Sequence, residues 1–341
     1  MRIAVVASPV SPLRPAQLGG AQAFVSDLAQ GLARRGHDVT LHCIEGSNVD
    51  GVRLAMVPSP TDGAAALVMP GGGQPPPAPG VAAALEAMFA AIARAYVDVV
   101  SQHAFDAPAF KLARGMPVLH TLHLPPIVDE IVRAAAKVDL RELATVSLAA
   151  LHAWRKAGVE VGEVLPNGVP DSPLGERPDQ VALIAGRISP EKGIEHGIAA
   201  ARAAGLGVRI AGAHYDPAYE VDLADTERLG SLTRHELARV MAGSAVTVCP
   251  IRWDEPFGLV AAEAQMAGCP VAAYRRGAMP EVIEEGVSGF MAEPDDVDGL
   301  SGAIRRCLSL DRTGVQASAR RRLGLDAAIS RYEQALARVA R

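Results

Sequence analysis

Two glutamates eight positions apart, Glu255 and Glu263, are the residues of this sequence whose chemistry most needs an explanation. They lie in the stretch DEPFGLVAAEAQMAGC, residues 254–269, where a tight turn at Pro256 is followed by a short apolar helix. Glu263 stands among Ala, Val and Met side chains. A buried carboxylate needs hydrogen-bond donors there, and a diol would provide them. Glu255, ahead of the helix, could face a second polar group of a ligand.

The backbone at the start of this helix is a further binding group. The first N–H groups of a helix have no partner within it, so those of Phe257, Gly258 and Leu259 could receive an anion or a hydroxyl. The alternative is structural: a helix N-terminus with an acid near its cap and one solvated glutamate. The spacing of the two glutamates alone does not decide between these interpretations.

Two cations occur in the stretch GRISPEKG, residues 186–193, directly after a predicted strand. Ser189 and Pro190 predict the cap and the first residue of a helix. Arg187 and Lys192 would then converge on the positive end of that helix, an arrangement that binds a diphosphate without needing a metal ion. Taken alone, both cations are as readily explained as surface charges.

Histidines and glycines mark the loops of the first half of the chain. His103 and His123 follow predicted strands at their carboxyl ends, where open parallel sheets bind ligands. His120 and His123 point to opposite faces of one strand, so they could not readily share a metal ion. Gly19 and Gly20 directly precede a helix and allow close approach of a phosphate or a sugar. A structural role for the histidines and an ordinary turn at the glycines are the open alternatives.

Together these segments resemble the retaining GT-B glycosyltransferases of family 4, which include sucrose and glycogen synthases and bacterial mannosyl- and glucosyltransferases. The resemblance is carried by Glu-x7-Glu with Pro-Phe-Gly-Leu, by Gly-Arg-x4-Lys-Gly, and by Thr121-Leu122-His123. It spans nearly the whole chain and is weakest over residues 50–81. Where family members often have two histidines in the earlier strand-end motif, Ser101 takes the first place here and His103 the second, so this motif departs from the family pattern.

The resemblance implies an α/β protein of GT-B architecture, with two Rossmann-like domains facing across a cleft. An acceptor domain would cover residues 1–168, a donor domain residues 169–325, and a terminal helix over residues 326–341 would cross back to the first domain. The implied reaction moves a sugar from a nucleotide-diphosphate sugar, with UDP-sugars favoured, to an acceptor hydroxyl with retention of configuration. No metal ion and no cofactor are implied beyond the nucleotide sugar as co-substrate.

The same resemblance assigns the site residues. It implies catalytic roles for His123, Glu255, Arg187 and Lys192. Donor binding is implied for Gly19, Gly20, Arg187, Lys192, Glu255, Phe257, Gly258, Leu259, Val260 and Glu263, with the loop 228–232 near the base.

Two other functions fit the same fold. A nucleotide-sugar 2-epimerase needs acid and base carboxylates but no acceptor, and a non-catalytic subunit would bind the sugar nucleotide only for assembly or sensing. The acceptor itself, a small molecule, a glycan or a lipid-linked sugar, is left open. Weak association with a membrane surface is a further alternative, although Arg34 and Arg35 stand almost alone beside Asp27 on the first helix, which favours a soluble acceptor.

The elements that must position these residues alternate between strand and helix in both halves. RIAVVAS predicts the first strand, residues 21–35 the first helix and DVTLHCI the second strand, and VALIAG restarts the pattern after a proline-rich linker at 170–179. A chain of 341 residues with 49% apolar composition and few aromatics is typical of two α/β domains. The Gly- and Pro-rich residues 62–80 predict a flexible loop, either a plain connection or a flap over the acceptor.

Composition narrows the remaining possibilities. A net charge of -5 argues against a nucleic-acid partner. The sequence has no apolar run of membrane-spanning length and no signal-peptide core, which predicts a cytoplasmic protein. Four cysteines far apart without a CxxC pair favour reduced, packed thiols. We interpret Cys249 as a packing residue rather than a nucleophile, because no base lies next to it in the sequence.

Overall fold

The protein builds two open parallel sheets, one in each half of the chain. The structure, a computed structural model, describes residues 1–14, 19–67, 74–175, 178–215 and 218–340. These divide into two compact units: unit 1 is residues 1–166 together with 326–341, and unit 2 is residues 167–325. The predicted α/β class is confirmed, since every strand pairing is parallel and helices connect the strands.

The described residues of unit 1 form seven strands and six helices. The strands are β1 (Arg2–Val6), β2 (Asp38–Ile44), β3 (Arg53–Val57), β4 (Val99–Gln102), β5 (Val118–Leu122), β6 (Leu143–Thr145) and β7 (Glu163–Val164). The helices are α1 (Gly20–Arg34), α2 (Pro79–Arg94), α3 (Ala107–Leu112), α4 (Asp129–Ala135), α5 (Leu148–Lys156) and the terminal α12 (Leu325–Val339), with a 3-10 turn at Leu140–Glu142. The strand order is β3-β2-β1-β4-β5-β6-β7.

Unit 2 repeats this plan with six strands in the part of it that the structure describes. They are β8 (Asp179–Ala185), β9 (Gly207–Ala211), β10 (Glu227–Gly230), β11 (Ser244–Cys249), β12 (Val271–Tyr274) and β13 (Gly289–Ala292), in the order β10-β9-β8-β11-β12-β13. The helices are α6 (Ile194–Ala203), α7 (Arg234–Gly243), α8 (Leu259–Met266), α9 (Met279–Val282), α10 (Val297–Cys307) and α11 (Arg312–Leu323), with a 3-10 turn at Pro190–Lys192.

The strand orders locate the ligand-binding edge of each sheet. The order reverses between β1 and β4 in unit 1 and between β8 and β11 in unit 2. At such a switch point the connections leave towards opposite faces of the sheet, which opens a crevice at the carboxyl ends of the two strands. The segments that follow β1, β4, β8 and β11 are therefore the ones to search for functional side chains.

Burial of apolar side chains on both faces of each sheet explains the composition. The central strands β4 and β11 are buried throughout and β1 is buried from Ile3 to Val6, as parallel sheets covered by helices require. Helix α1, expected at residues 21–35 and observed at 20–34, buries Phe24, Leu28 and Leu32 on one face. Among the helices that the structure describes, none is long and apolar enough to cross a lipid bilayer.

The terminal helix α12 packs against α1 in unit 1. Arg35 pairs with Asp326 at 2.6 Å and with Glu333 at 2.8 Å, and His37 contacts the other oxygen of Glu333 at 2.8 Å. A Cβ atom at Gly31 would lie 2.0 Å from Cδ1 of Ile329. A glycine is therefore needed at this position for the two helices to pack this closely.

The predicted loop at residues 62–80 is more structured than its composition suggests. The Asp62 carboxylate accepts hydrogen bonds from the N–H groups of Gly80 and Val81 at 2.7 and 3.1 Å, which caps α2. The helix itself begins at Pro79, inside the predicted loop, because proline is well tolerated in a first helical turn. The Gln74 side chain contacts Ile127 O and Asp129 N, and residues 68–73 lie outside the described residues.

The proline-rich segment predicted as a linker packs onto unit 2 where the structure describes it. Asp171 forms an ion pair with Arg320 at 2.8 Å, and the carbonyl of Ser172 accepts a hydrogen bond from Gln316 at 2.8 Å. Residues 167–175 are therefore part of unit 2, whose compact region begins at Asn167.

Candidate active site

Lys192 and Glu255 meet at the switch point of unit 2. The ammonium of Lys192 lies 2.9 Å from Oε2 of Glu255, with the two side chains 18% and 14% exposed. Lys192 ends the 3-10 turn after β8, and Glu255 belongs to the segment after β11. Gly193 has a positive φ of 60°, and a Cβ there would lie 2.1 Å from the Pro250 carbonyl. Glycine thus lets the two segments approach closely enough for the ion pair to form.

The surroundings of Glu255 keep its carboxylate ionised. Burial opposes ionisation, but the Lys192 ammonium, the indole N–H of Trp253 and the charge of Arg187 outweigh it, so the pKa of Glu255 is lowered. The Trp253 Nε1–H donates to Glu255 Oε2 at 2.9 Å. A Cβ at Gly277 would lie 2.4 Å from the Glu255 nitrogen, so the backbone of this segment is also tightly enclosed.

Arg187, the second predicted cation, lies in the same region with a carboxylate of its own. Its guanidinium pairs with Glu191 at 3.2 Å and its Cζ lies 4.7 Å above the Tyr215 ring. Glu191 is buried, and the pattern of charges did not single it out. Ser189 stands at the N-cap position and Pro190 is the first residue, as predicted, but of a 3-10 turn. The Ser189 hydroxyl makes no capping bond, and Gly193, in left-handed conformation, separates this turn from α6.

Glu263 accepts a hydrogen bond from Arg234, a residue that the sequence did not single out. Its Oε1 lies 2.8 Å from Nε of Arg234, and its side chain is 16% exposed. Arg234 is the first residue of α7, just beyond the loop 228–232 expected near a base. The sequence does carry a local indication that a helix begins at Arg234, because Thr233 and Glu236 form the capping box of α7.

The start of α8 presents backbone N–H groups, as the sequence predicted. Gly258 precedes the helix with φ at 93° and offers no side-chain cap. The N–H groups of Leu259 and Val260 in the first turn have no partner within the helix. Phe257 is buried, and the positive φ of Gly258 favours glycine in this turn, where a Cβ would also lie 2.0 Å from Cε of Met279.

In unit 1, His123 lies at the end of a chain of buried polar side chains. Nε2 of His123 is 2.8 Å from Nδ1 of His103, whose Nε2 is 2.8 Å from the hydroxyl of Ser101. Phe24 of α1 and Tyr332 of α12 cover the pair, with ring centroids 6.2 Å from His123 and 6.0 Å from His103.

Burial keeps these histidines uncharged. It lowers the pKa of His123 to about 4 and the pKa of His103 well below its ordinary value.

His120 has other neighbours and stacks on Phe110 with ring centroids 4.8 Å apart. Within the described ranges, no three His, Cys, Asp or Glu side chains are grouped so that they could hold a metal ion.

Asp106 at the switch point of unit 1 was not singled out from the sequence. It follows β4, and its Oδ2 accepts a hydrogen bond from the hydroxyl of Ser8, after β1, at 3.3 Å. Burial raises the pKa of Asp106 to about 6. Gly19 is the N-cap residue of α1, and Gly20 is the first residue of the helix rather than the residue before it.

Cys249 ends β11 and has the properties of a packing residue. It is buried, and burial raises the pKa of its thiol to about 12. The nucleophilic thiolate is therefore scarce at neutral pH.

Fold and motifs define the class of the protein. Residues 18–173 match the family model described as Glycosyltransferase Family 4, and residues 172–324 match the one described as Glycosyl transferases group 1. The two matches overlap at residues 172–173; the first covers β2 to β7 and the second covers β8 to β13. The chain therefore belongs to the glycosyltransferases of the family 4 type, which have the GT-B fold.

Its relatives include D-inositol 3-phosphate glycosyltransferases. The protein of Mycobacterium marinum (strain ATCC BAA-535 / M) is 31% identical over 208 residues, covering 55% of this chain and 44% of that protein. The protein of Mycobacterium sp. (strain KMS) is 28% identical, covering 90% of this chain and 82% of that protein. The matched region thus spans less than half of the first relative and about four fifths of the second.

Solved structures share the fold over the whole chain. Sucrose-phosphate synthase from Thermosynechococcus elongatus has a TM-score of 0.76 at 18% identity, covering 99% of this chain and 98% of that one. Anabaena HepE in complex with UDP-glucose has a TM-score of 0.75 at 18% identity, covering 99% and 100%. At this identity the likeness establishes the fold alone.

Proposed function

We propose that this glycosyltransferase moves a hexose from a nucleotide-diphosphate sugar, with UDP-sugars favoured, to an acceptor hydroxyl with retention of anomeric configuration. The observation that carries the proposal is the cluster at the switch point of unit 2. There Lys192, Arg187 and an ionised Glu255 stand together beside the N-terminus of α8.

The cations at this site are paired with carboxylates, so a diphosphate needs further binding groups. Lys192 and Arg187 each already neutralise one carboxylate, Glu255 and Glu191. An incoming diphosphate therefore also needs the first-turn N–H groups of α8, which favour negative charge. Glu263 with its partner Arg234 would receive the ribose hydroxyls. A structural neighbour crystallised with UDP-glucose supports the choice of a UDP-sugar.

In the reaction, the bond between the anomeric carbon and the diphosphate oxygen breaks while the acceptor oxygen bonds to that carbon. Negative charge collects on the leaving diphosphate, and Lys192 and Arg187 would stabilise it, each well-aimed donor contributing about 3 to 4 kcal/mol. Glu255 would hydrogen-bond the sugar. Retention follows the family resemblance, in which the acceptor attacks on the face that the diphosphate leaves and gives its proton to that diphosphate.

Unit 1 would bind the acceptor. Asp106 and Ser8 lie at the switch point of its sheet, where a carboxyl and a hydroxyl suit a polyol. His123 would contact substrate nearer to the reacting sugar, as the family resemblance implies.

Thermal unfolding combined with product-nucleotide release tests the donor site. The protein is measured with UDP, GDP, ADP and TDP and with their common sugars, alongside Lys192→Ala and Glu263→Ala. We expect one nucleotide to raise the melting temperature and both substitutions to remove that shift. The exposed Lys156 and Glu220 provide matched controls, because Lys156→Ala and Glu220→Ala should leave the shift intact.

Product analysis separates this proposal from its alternatives. Isomerised donor without a glycoside would identify a 2-epimerase, and binding without turnover for any acceptor would identify a binding subunit. An NMR time course that shows the inverted anomer first would refute retention. Flotation with anionic vesicles tests surface association, and no enrichment in the vesicle fraction favours a soluble acceptor.

A further inference from the structure

The carboxylate of Glu255 is held by one of its two oxygens. Oε2 accepts hydrogen bonds from the ammonium of Lys192 and from the indole Nε1–H of Trp253, both at 2.9 Å. Oε1 accepts no hydrogen bond from the residues that the structure describes. An ionised carboxylate has room for about four hydrogen bonds, so Oε1 is the oxygen that remains available to a ligand.

The turn that carries Trp253 and Glu255 brings the indole to the carboxylate. The N–H of Glu255 donates to the carbonyl of Trp253 at 2.9 Å, so the backbone turns sharply between these two residues. On one side of the turn, Nη1 of Arg276 donates to the carbonyl of Arg252 at 2.5 Å. On the other side, the N–H of Ala278 donates to the carbonyl of Glu255 at 2.9 Å. The indole is therefore presented to Glu255 by a backbone that is itself hydrogen-bonded on both sides.

The two donors to Oε2 differ in how they would respond to a diphosphate. Lys192 is a flexible cation with three N–H donors, so a bound diphosphate would also attract its ammonium. The indole of Trp253 is neutral and has a single N–H, so the phosphates would exert no comparable attraction on it. The bond from Trp253 would therefore keep Oε2 in place when Lys192 turns towards the diphosphate.

The surroundings of the carboxylate make its orientation depend on these donors. Lys192 and Glu255 are only 18% and 14% exposed, so water contributes little to holding the carboxylate. Nζ of Lys192 lies 5.9 Å from the centroid of the Trp253 ring, near the outer limit of a cation–π contact. The guanidinium of Arg187 acts on Glu255 through its charge, but its hydrogen bond goes to Glu191. Among the described residues, Trp253 is thus the uncharged donor to Glu255.

We infer that Trp253 is a positioning residue whose indole N–H holds Oε2 of Glu255, so that Oε1 faces the donor sugar and accepts a hydrogen bond from a sugar hydroxyl. The contact with the sugar rests on the proposed function, whereas the bond between Trp253 and Glu255 does not. Stacking of the Trp253 ring on a sugar is the competing role, and it needs the ring but not the N–H.

The bond can be observed by NMR, because the chain has 2 tryptophans. The full-length protein labelled with 15N-tryptophan should give two indole N–H signals, which Trp253→Phe assigns. We expect the Trp253 signal to lie downfield, as a bond to a carboxylate requires, and to move upfield in Glu255→Gln. A wild-type Trp253 signal at the position of a solvent-exposed indole would overturn the inference, whether or not any variant folds.

Nucleotide titration tests whether the bond persists in the donor complex. UDP, GDP, ADP and TDP are added in turn to the labelled protein, and each melting temperature is recorded in parallel. With a nucleotide that raises the melting temperature, we expect the Trp253 signal to stay downfield. An upfield shift to the solvent-exposed position would overturn the inference while the proposed donor site stands. If none of the four nucleotides binds, the proposed function and the sugar contact are both refuted.

An isosteric replacement separates the N–H of Trp253 from its ring. Site-specific incorporation of benzothienylalanine at position 253 keeps the aromatic surface and puts sulfur in place of the N–H. We expect kcat to fall on the order of tenfold or more, the effect of losing a hydrogen bond to a charged group. The Kd of the nucleoside diphosphate, which has no sugar, should not change, whereas a loosened turn would weaken it. An unchanged kcat would mean that the ring alone matters and would overturn the inference.

A double-variant cycle tests whether Trp253 acts through Glu255. In the Glu255→Ala background the benzothienylalanine replacement should have little further effect on the residual turnover, because the carboxylate that it positions is gone. Losses that multiply would mean that Trp253 contacts the substrate independently and would refute the positioning role. Asp254→Asn is the matched control, because Asp254 lies between the two residues but is exposed. It should change neither kcat nor the Trp253 signal.

Discussion

Nε of Arg234 lies 2.8 Å from Oε1 of Glu263, and this contact joins the first residue of α7 to the middle of α8. Because Glu263 is the residue proposed to receive the ribose, the arginine holds in place the carboxylate on which nucleotide binding depends. We expect Arg234→Ala to weaken nucleotide binding about three- to thirtyfold, the effect of losing one partly exposed charged hydrogen bond.

Calorimetry with a ribonucleotide and its 2′-deoxy analogue checks this prediction. Both Arg234→Ala and Glu263→Gln should reduce the preference for the ribonucleotide, and the double variant should lose little more than either single one. Arg239→Ala is the control, because Arg239 is an exposed arginine of the same helix. Additive losses in the double variant would mean that the two side chains act separately.

We expect the Asp106 carboxylate to lower the stability of unit 1 while it contributes to acceptor-dependent turnover. Burial raises its pKa from 3.8 to about 6, so the folded protein holds the proton more tightly than the unfolded chain does. The free energy of unfolding therefore falls as pH rises between about 4 and 6. We expect Asp106→Asn to stabilise unit 1 above pH 6 by up to about 3 kcal/mol, while acceptor-dependent turnover drops.

Urea unfolding at pH 4 and at pH 8, together with acceptor KM, measures both halves of this prediction. Asp139 provides a control of opposite sign, because Arg141 lowers the pKa of its exposed carboxyl to about 2. Asp139→Asn should therefore not stabilise the protein at pH 8. An Asp106→Asn variant that is destabilised at pH 8 would contradict the proposed environment of Asp106.

Unit 1 should unfold in mild acid because its buried histidines resist protonation. Burial lowers the pKa of His42 and His123 to about 4 and that of His120 to about 3, against an ordinary value of 6.5. A lowered pKa favours the folded state above 6.5, and that stability is lost as pH falls towards 4. At pH 4 each buried histidine lowers the free energy of unfolding by up to about 3 kcal/mol. The free energy of unfolding of a whole domain is about 5–15 kcal/mol.

Tryptophan fluorescence measures the acid unfolding of one unit at a time. Trp154 belongs to unit 1 and Trp253 to unit 2, and they are the 2 tryptophans of the chain. In Trp253→Phe the remaining signal reports on unit 1 and should show unfolding between pH 6.5 and 4. Adding His120→Phe should move the midpoint to lower pH. A native Trp154 spectrum at pH 4 would show that the histidines are hydrated.

The close packing of α12 on α1 predicts opposite effects for the same substitution at two helical glycines. A Cβ at Gly31 would lie 2.0 Å from Cδ1 of Ile329, whereas one at Gly302 in α10 meets no atom within 4 Å. We expect Gly31→Ala to destabilise the fold by about 1–2 kcal/mol and Gly302→Ala to stabilise it by up to about 1 kcal/mol.

A compensating substitution identifies the cause at Gly31. Ile329→Ala creates a cavity by itself, but it also makes room for a Cβ at position 31. In urea unfolding, the double variant should be less destabilised than the sum of the two single variants. Simple additivity would mean that the methyl group is accommodated without contact between the helices.

Local sequence patterns were enough to predict much of the fold. The positions of α1, α8 and the strands that precede the loops follow from apolar periodicity and from glycine or proline at element ends. The helix after Ser189 and the start of α2 differ from the prediction. Gly193 adopts a left-handed conformation that separates the 3-10 turn from α6, and the Asp62 carboxylate caps α2 at Gly80, 18 residues away.

Some features of the candidate site were likewise predictable from local sequence, and others were not. The sequence by itself determined the residue types and the loops that carry Arg187, Lys192 and Glu255, because turn residues and strand ends are encoded locally. Only the tertiary structure decided that Glu263 meets Arg234, that His103 contacts His123, and that Asp106 is half-buried with a raised pKa. These properties depend on how distant segments pack and on how much water they exclude, and neither can be read from neighbouring residues in the chain.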